Sequence, residues 1–269
     1  MSTRCYDTVI LSDLHLGSEV SRARDALDTL KAISFHRLIL LGDIFCDLNF
    51  RRLKKEHWHF LSYIRKLSNP KRNLEIVWVE GNHDYGLSDV MSHLVGIRVY
   101  EEYEWEYQGI RHLAIHGHQF DRFVVNNRLL SGFFTACHES LQKLSFARKR
   151  AVSFLERFDT IWLRVSNKVS GGALAHARMR HAQRIFCGHT HEALRSFCDG
   201  IEYFNSGSWT QPKATYITID EEGVTIHEYD ERAHDHHSGK ERGEIDSPAA
   251  DLADDAGLSR DAEYEGVPG

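Results

Sequence analysis

Residues 8–15, Thr-Val-Ile-Leu-Ser-Asp-Leu-His, form a short apolar run that passes directly into polar residues. The same pattern returns at residues 36–43, His-Arg-Leu-Ile-Leu-Leu-Gly-Asp, and at 74–84, Leu-Glu-Ile-Val-Trp-Val-Glu-Gly-Asn-His-Asp. Short apolar runs that end at glycine or a polar residue are typical of buried β-strands. We therefore predict three strands, over Tyr6–Leu11, His36–Leu41 and Leu74–Val79, each followed by polar side chains.

Helical spacing of apolar residues separates these strands, at Val20–Ile33 and at Leu53–Leu67, and the alternation predicts an α/β fold. We predict a short helix over Val90–Val95. The remaining strands are expected at Ile97–Tyr107 and Ile110–Ile115, joined by a turn at Gln108-Gly109, and then at Ile185–Cys187, Ile201–Phe204, Ala214–Ile219 and Val224–His227.

Two segments differ from this pattern. Residues 122–183, which we call the cap, are predicted to be a helical insertion that Gly171-Gly172 interrupts. Residues 230–269 carry twelve acidic against four basic residues and few large apolar ones, which predicts a disordered acidic tail after a domain over 1–229. The tail contains histidines at 234, 236 and 237, which either bind a metal ion or belong to a solvated polar segment. We favour the solvated segment over metal binding.

Composition excludes several classes of protein. With 42% hydrophobic residues and four prolines in 269 residues, the chain matches neither collagen nor a wholly disordered protein. Its longest apolar runs are too short to cross a bilayer, and no signal peptide is recognised, so we expect a cytoplasmic protein. Five cysteines without a Cys-x-x-Cys pair indicate reduced thiols.

Five polar motifs follow predicted strands, and open α/β sheets build their sites at strand ends. They are Asp13-Leu14-His15, Gly42-Asp43, Gly81-Asn82-His83-Asp84, His116-Gly117-His118 and Gly188-His189-Thr190-His191. In extended backbone, residues i and i+2 point the same way, so Asp13 and His15 can aim at one region. Carboxylates mixed with imidazoles suit manganese, iron or zinc. Each motif alone is weak, but their joint occurrence indicates a metal site.

Together these motifs resemble the calcineurin-like metallophosphoesterases, over Thr8 to about His227. The resemblance implies a four-layer αββα sandwich with a helical cap insertion and a dinuclear centre. It implies that Asp43 bridges two divalent metal ions, and that the other ligands are Asp13, His15 and His191 for one ion and Asn82, His116 and His189 for the other. We expect manganese, with iron and zinc as alternatives. The resemblance also implies that His83 is catalytic and that Asp84 orients it, although His83 as a loop-capping residue is the alternative.

The charge of such a centre indicates its substrate. Two divalent cations and two carboxylates leave about +2, which favours an anion. Paired metals bind phosphoryl oxygens and lower the pKa of a bound water, so hydrolysis of a phosphoester or a diphosphate is expected. His83 could donate a proton to the leaving oxygen.

The segment His116–Asp121, the cap and Asn205–Trp209 resemble the UDP-2,3-diacylglucosamine pyrophosphatase-like branch, which implies a nucleotide-diphospho sugar lipid as substrate. Three positions depart from that branch, His83, His118 and Cys46. From Asp121 to Arg184 the chain has twelve basic and four acidic residues, with many aromatic ones. This composition suits a phosphorylated lipid-linked substrate and peripheral contact with the inner face of a membrane, or simple packing of the cap onto the core. A nuclease, with nucleic acid as partner, or a cyclic-nucleotide phosphodiesterase is the alternative enzyme, whereas the intact motifs argue against a non-enzymatic scaffold.

Overall fold

The structure is a computed structural model that describes residues 4–86, 96–121 and 152–229, excluding the side chains of 152–164. Within these ranges the helices are α1 (Ala23–Ala32), α2 (Lys55–Leu67) and α3 (Val152–Met179). The strands are β1 (Cys5–Leu11), β2 (Ser34–Leu41), β3 (Glu75–Val79), β4 (Val99–Tyr100), β5 (Glu102–Tyr107), β6 (Ile110–Ile115), β7 (Arg184–Cys187), β8 (Leu194–Cys198), β9 (Ile201–Asn205), β10 (Thr215–Asp220) and β11 (Gly223–Glu228).

The strands form two sheets. Sheet A has six strands in the order β11-β10-β1-β2-β3-β4, and sheet B has five in the order β5-β6-β7-β9-β8. In sheet A, β1, β2 and β3 are parallel, with Val9 opposite Leu38 and Ile39 opposite Val77. In sheet B, β6, β7 and β9 are parallel. The prediction of an α/β metallophosphoesterase sandwich is confirmed as a mixed α/β fold with two sheets and few helices.

Alternate residues of the central strands serve two different cores. Val9 and Leu11 of β1 pack with α1 and α2 on one face of sheet A. Ile10, between them, packs with residues of sheet B such as Phe186. The period of two along the strand explains why these runs are apolar throughout, since both faces of the sheet are covered.

Helix α3 covers the outer face of sheet B. Val169, Ala173 and Ala177 are fully buried, and the two alanines belong to a core cluster with Leu113 and Ile185 of sheet B. Alanines spaced four residues apart form one face of a helix, and their small side chains allow it to lie close to the sheet. The arrangement is therefore α1 and α2, sheet A, sheet B, and α3.

The predicted interruption at Gly171-Gly172 is wrong, because α3 is continuous through both residues. A Cβ atom at Gly172 would stand 2.7 Å from Cβ of Phe120, so glycine lets the helix approach the turn that follows β6. The edge strand β8 was not predicted, because its residues are mostly exposed and show no apolar alternation. The prediction of one strand over Ile97–Tyr107 is wrong, because the segment is divided into β4, at the edge of sheet A, and β5, at the edge of sheet B, as the chain passes from one sheet to the other. The remaining predicted strands and the helices α1 and α2 occur with shifts of a few residues at their ends.

Other predictions fall outside the described residues. They are the helix at Val90–Val95, the part of the cap over residues 122–151 and the acidic tail over residues 230–269. In the part of the chain that the structure describes, we find no helix that is long and apolar enough to span a membrane.

Candidate metal centre

The loop after β1 carries Asp13 and His15. Their backbone N–H groups donate to the carbonyls of Gly42 (3.0 Å) and Asp43 (3.0 Å), so the loop after β1 runs beside the loop after β2. Both residues have left-handed backbone, with φ of 52° and 47°. This conformation is unfavourable for residues with a side chain, and it turns both side chains away from the extended line of the strand.

The loop after β2 places Asp43 against His116, which follows β6 in the other sheet. Gly42 adopts φ of 75°, and a Cβ atom there would overlap the His116 ring. The Nδ1 atom of His116 lies 3.0 Å from the carbonyl oxygen of Leu41, to which it donates when protonated there. Its Nε2 atom then lies 3.3 Å from Oδ2 of Asp43. The hydrogen bond at one nitrogen therefore fixes the direction of the other.

The loop after β3 packs on the same carboxylate. The backbone N–H of His83 donates to Oδ1 of Asp43 (2.9 Å), and a Cβ atom at Gly81 would overlap the backbone nitrogen of Asp43. Asn82 lies between these two contacts. Its Oδ1 atom is buried and has no hydrogen-bond partner in the part of the chain that the structure describes.

The loop after β7 brings two histidines to Asp13. The backbone N–H of His189 donates to Oδ2 of Asp13 (3.1 Å). The Nε2 atom of His191 lies 3.1 Å from the other oxygen of Asp13 and 3.2 Å from Nε2 of His15. Both histidines have a left-handed backbone conformation, as Asp13 and His15 do, with φ of 68° at His189 and 56° at His191.

Among the residues described, three groups of side chains have ligand atoms within 4.8 Å of one another. They are Asp13, His15 and His191; His15, Asp43 and His83; and Asp43, His116 and His189. Six of the seven residues that were predicted to bind metal thus lie in one continuous cluster, and the loop contacts above place the seventh, Asn82, beside Asp43. His83 joins the same cluster, with its Nε2 atom 3.9 Å from Oδ2 of Asp43.

The buried polar atoms of this cluster fit bound cations. Among the described residues, the buried Oδ1 of Asn82 has no hydrogen-bond partner, and the buried Oδ1 of Asp13 and Nε2 of His116 meet no partner outside the cluster itself. Burial of such atoms is costly unless something satisfies them. Carboxylate, amide and imidazole donors together suit manganese, iron or zinc. The residues present therefore fit a dinuclear metal centre.

The ionisation of the carboxylates and imidazoles supports the same conclusion. Burial alone would raise the pKa of Asp43, but His116, His83 and His15 outweigh it and hold that pKa well below its usual range. Burial opposes protonation of His116, but Asp43 and Asp13 raise the pKa of its imidazole to about 9. The pKa of Asp13 is likewise lowered, because His191 and His116 outweigh the effect of its burial. Two buried carboxylates that stay ionised through adjacent positive charge form a site that favours cations.

The predicted pairing of Asp84 with the His83 ring is not what the structure contains. Both oxygens of Asp84 accept backbone hydrogen bonds, from the N–H groups of Ile44 (2.9 Å) and Phe45 (2.9 Å). The His83 ring instead has its Nδ1 atom 2.6 Å from the carbonyl oxygen of Cys46. Burial and the adjacent Asp43 raise the pKa of Asp84 to about 7. Asp84 therefore shapes the loop after β2, and a backbone carbonyl orients His83, which no side-chain motif could indicate.

Two further residues lie at the edge of the cluster. The centre of the His118 ring lies 5.5 Å from that of the His116 ring. Burial is the main cause that lowers the pKa of His118, to about 3, and the adjacent His116 and His189 lower it further, so the His118 imidazole is neutral. Asp121 is fully buried, and its Oδ2 lies 3.6 Å from Nε2 of His189. Asp121 was not among the predicted site residues. Its position in the sequence, five residues after the predicted ligand His116, is the feature that could have indicated it.

Comparison with solved structures gives matches of low sequence identity over most of the chain. An archaeal phosphodiesterase is 15% identical, with 82% of this chain and 98% of that chain covered and a TM-score of 0.46. Vps29 from Entamoeba histolytica complexed with Zn²⁺ is 14% identical, with 83% and 99% covered and a TM-score of 0.41. A predicted phosphoesterase from Streptococcus pneumoniae TIGR4 is 14% identical, with 83% and 97% covered and a TM-score of 0.36.

A search of curated proteins found no significant match. The model of the calcineurin-like phosphoesterase superfamily domain matches residues 7–224, which include most of both sheets and every residue of the cluster. The chain therefore belongs to the calcineurin-like phosphoesterase superfamily and is a hydrolase that acts on phosphoester bonds.

Proposed function

We propose that the chain is a dinuclear-metal-dependent hydrolase of a phosphodiester or diphosphate bond, whose substrate is a UDP-2,3-diacylglucosamine-like nucleotide-diphospho sugar lipid. The observation that carries the metal-dependent part is the cluster of buried ligand atoms from five strand ends, with Asp43 shared between two of its groups. In this proposal Asp13, His15, Asp43 and His191 bind one ion, and Asp43, Asn82, His116 and His189 bind the other. Manganese is the ion we propose.

Bound there, two divalent ions supply Lewis-acid activation of the phosphoryl group and of a water molecule. The protein residues orient the reaction. His83 is held by its Nδ1 contact with the Cys46 carbonyl, so its Nε2 atom faces the centre next to Asp43. A proton at that atom is placed to reach the leaving oxygen. His83 is the side chain we assign to this role.

The substrate proposal rests on sequence features beside the cluster. Two segments resemble the diacylglucosamine branch, His116–Asp121 and Asn205–Trp209. The first contains the proposed ligand His116, and in the second the backbone N–H of Trp209 donates to the carbonyl oxygen of Asp13 (3.1 Å), so both segments lie at the centre. The basic and aromatic composition of the cap suits a substrate with phosphates and acyl groups. Contact of the cap with the inner face of a membrane, in a cytoplasmic protein, is part of the same proposal.

The metal-dependent part is tested by replacing Asp43 with asparagine. Asp43→Asn keeps the size of the side chain but removes the charge that two ligand groups share. We expect at least a hundredfold loss of kcat/KM on a chromogenic aryl phosphodiester with Mn²⁺, and loss of paired metal binding by elemental analysis. The matched control is Asp28→Asn, a partly exposed carboxylate on α1 that faces Arg24 (3.9 Å). Activity in Asp43→Asn equal to that of the control would refute the proposed centre.

The substrate is tested with a panel of compounds under Mn²⁺. An acylated UDP-sugar, a cyclic nucleotide, an aryl phosphodiester and single-stranded DNA are compared by kcat/KM. The proposal expects the acylated UDP-sugar to be cleaved best, to UMP and a lipid phosphate. Preference for DNA, with affinity that falls steeply between about 50 and 200 mM salt, would instead establish the nuclease.

A further inference from the structure

Asn205, the last residue of β9, is fully buried, and its side-chain amide has four hydrogen-bond partners. Its Nδ2 atom, which has two hydrogens to donate, lies within hydrogen-bond distance of three acceptors: the Gly188 carbonyl oxygen (2.6 Å), Oγ1 of Thr190 (3.1 Å) and the Tyr203 hydroxyl (3.2 Å). Its Oδ1 atom accepts from the Gly207 N–H (3.0 Å). A carbonyl can only accept and an N–H can only donate, so these partners settle which atom of the amide is which.

Two of these partners belong to the loop that carries the ligands. Gly188 immediately precedes His189, and Thr190 stands between His189 and His191. Both histidines have left-handed backbone, which is unfavourable without support from the surrounding structure. The Asn205 amide holds the loop on both sides of His189, and it does so from the neighbouring strand β9, which is hydrogen-bonded to β7.

The residues that follow Asn205 reach the other half of the centre. The Ser206 hydroxyl lies 2.6 Å from the Ser12 hydroxyl, one residue before Asp13. The Ser208 hydroxyl donates to the Asp13 carbonyl (3.3 Å). Ser12, Ser206 and Ser208 are all buried. The segment after β9 therefore connects the ligand loop of sheet B with the ligand loop of sheet A.

We propose that Asn205 is a positioning residue of the metal centre, because it fixes the backbone on both sides of His189 and thereby the distance of His189 and His191 from Asp13. This inference rests on the proposed function, since it assumes that these residues bind metal. Outer residues that orient metal ligands contribute about 10- to 100-fold to metal affinity or activity. Asn205 has the burial and the donor geometry for such a contribution.

The test is the Mn²⁺ affinity of the full chain, measured by isothermal titration calorimetry. Asn205→Asp keeps the shape and the contact with Gly207 but turns an oxygen toward the Gly188 carbonyl, where two acceptors repel. We expect the Kd for Mn²⁺ to rise about 10- to 100-fold, and kcat to fall more than KM changes. Thr190→Val is a milder variant that removes one acceptor, and for it we expect a rise of about fivefold.

Thr218→Val is the matched control. Thr218 is a buried threonine of β10, and its hydroxyl forms a hydrogen bond with Nε2 of His227 (2.7 Å), which is not part of the metal centre. Its melting temperature should fall while its Kd for Mn²⁺ stays that of the wild type. Equal loss of affinity in this control would show that general destabilisation is the cause and would overturn the inference.

The remaining outcomes are equally distinct. A folded Asn205→Asp variant, as judged by circular dichroism, with wild-type affinity for Mn²⁺ overturns the positioning role. If Asn205→Asp does not fold, Thr190→Val decides, and an unchanged Kd in that variant overturns the role. Absence of Mn²⁺, Zn²⁺ and Fe²⁺ binding by the wild-type chain would refute the proposed centre itself.

Discussion

Replacing Gly188 with alanine tests how tightly the two ligand loops fit together. Gly188 does not have a positive φ, so alanine is acceptable to its backbone. The added Cβ atom would stand 2.8 Å from Cβ of Ser12 and 2.7 Å from Oγ of Ser12, and it would overlap Oδ2 of Asp13. Carbon atoms in favourable contact are about 3.5 Å apart, so the loops must separate by about 0.7 Å.

Ser12 cannot relieve this overlap by rotating. It is fully buried, and its hydroxyl contacts the Ser206 hydroxyl (2.6 Å) and donates to the Gly207 carbonyl (3.1 Å). The displacement therefore falls on Asp13 or on the loop of His189. A misplacement of about 1 Å can reduce a rate about 100-fold, so we expect Gly188→Ala to lower kcat/KM by about 10- to 100-fold.

The assay is hydrolysis of an aryl phosphodiester with saturating Mn²⁺, together with the Kd for Mn²⁺. The control is Gly171→Ala, because a Cβ atom at exposed Gly171 of α3 meets nothing within 4 Å. This variant should keep full activity and gain up to about 1 kcal/mol of stability from its higher helix propensity. Wild-type kcat/KM and Kd in Gly188→Ala would refute the close fit of the two loops.

Two further predictions concern stability. Burial lowers the pKa of the His112 imidazole to about 4. Between that value and about 6.5, the pKa of an unfolded histidine, the unfolded chain binds a proton that the folded chain does not. From this residue alone, the free energy of unfolding should therefore be about 2 kcal/mol lower at pH 5 than at pH 7.5. His112→Phe should lose that much less over the same range in urea titrations with EDTA, and equal losses would contradict the assignment. Gly172→Ala should destabilise the fold by about 1–3 kcal/mol because its Cβ would overlap the Phe120 side chain, whereas Gly171→Ala should not, and equal midpoints in urea would show that α3 can move away from the turn.

The strands and the ligand residues could be predicted because their signals are local. Each apolar run that is buried on both faces ends at a polar residue, as at Leu41, Gly42 and Asp43, and this pattern needs no knowledge of the rest of the chain. The edge strand β8 gave no such signal, since an exposed edge needs no apolar alternation. The continuity of α3 through Gly172 depends on its contact with Phe120, 52 residues earlier in the chain, which no local pattern indicates.

The orientation of the site could not be predicted for a related reason. Asp84 was expected to touch the next side chain in its own motif, His83, but it accepts from backbone N–H groups 40 and 39 residues away. The His83 ring is held by a backbone carbonyl, and every residue has one. Groups that are common to all residues leave no trace in a motif, so side-chain spacing predicts which residues meet but not which contacts orient them.

The left-handed backbone at the centre joins these points into one requirement. Asp13, His15, Asp43, His189 and His191 all have φ between 47° and 68°, a region that residues with side chains rarely adopt. Each such residue costs of order 1 kcal/mol, and five together approach the net stability of a typical domain, about 5–15 kcal/mol. The loops can keep this conformation only if buried hydrogen bonds hold them from outside. The contacts of Asp84 in sheet A and of Asn205 in sheet B have that position, and so the polar residues behind the ligands are as much a condition of the centre as the ligands themselves.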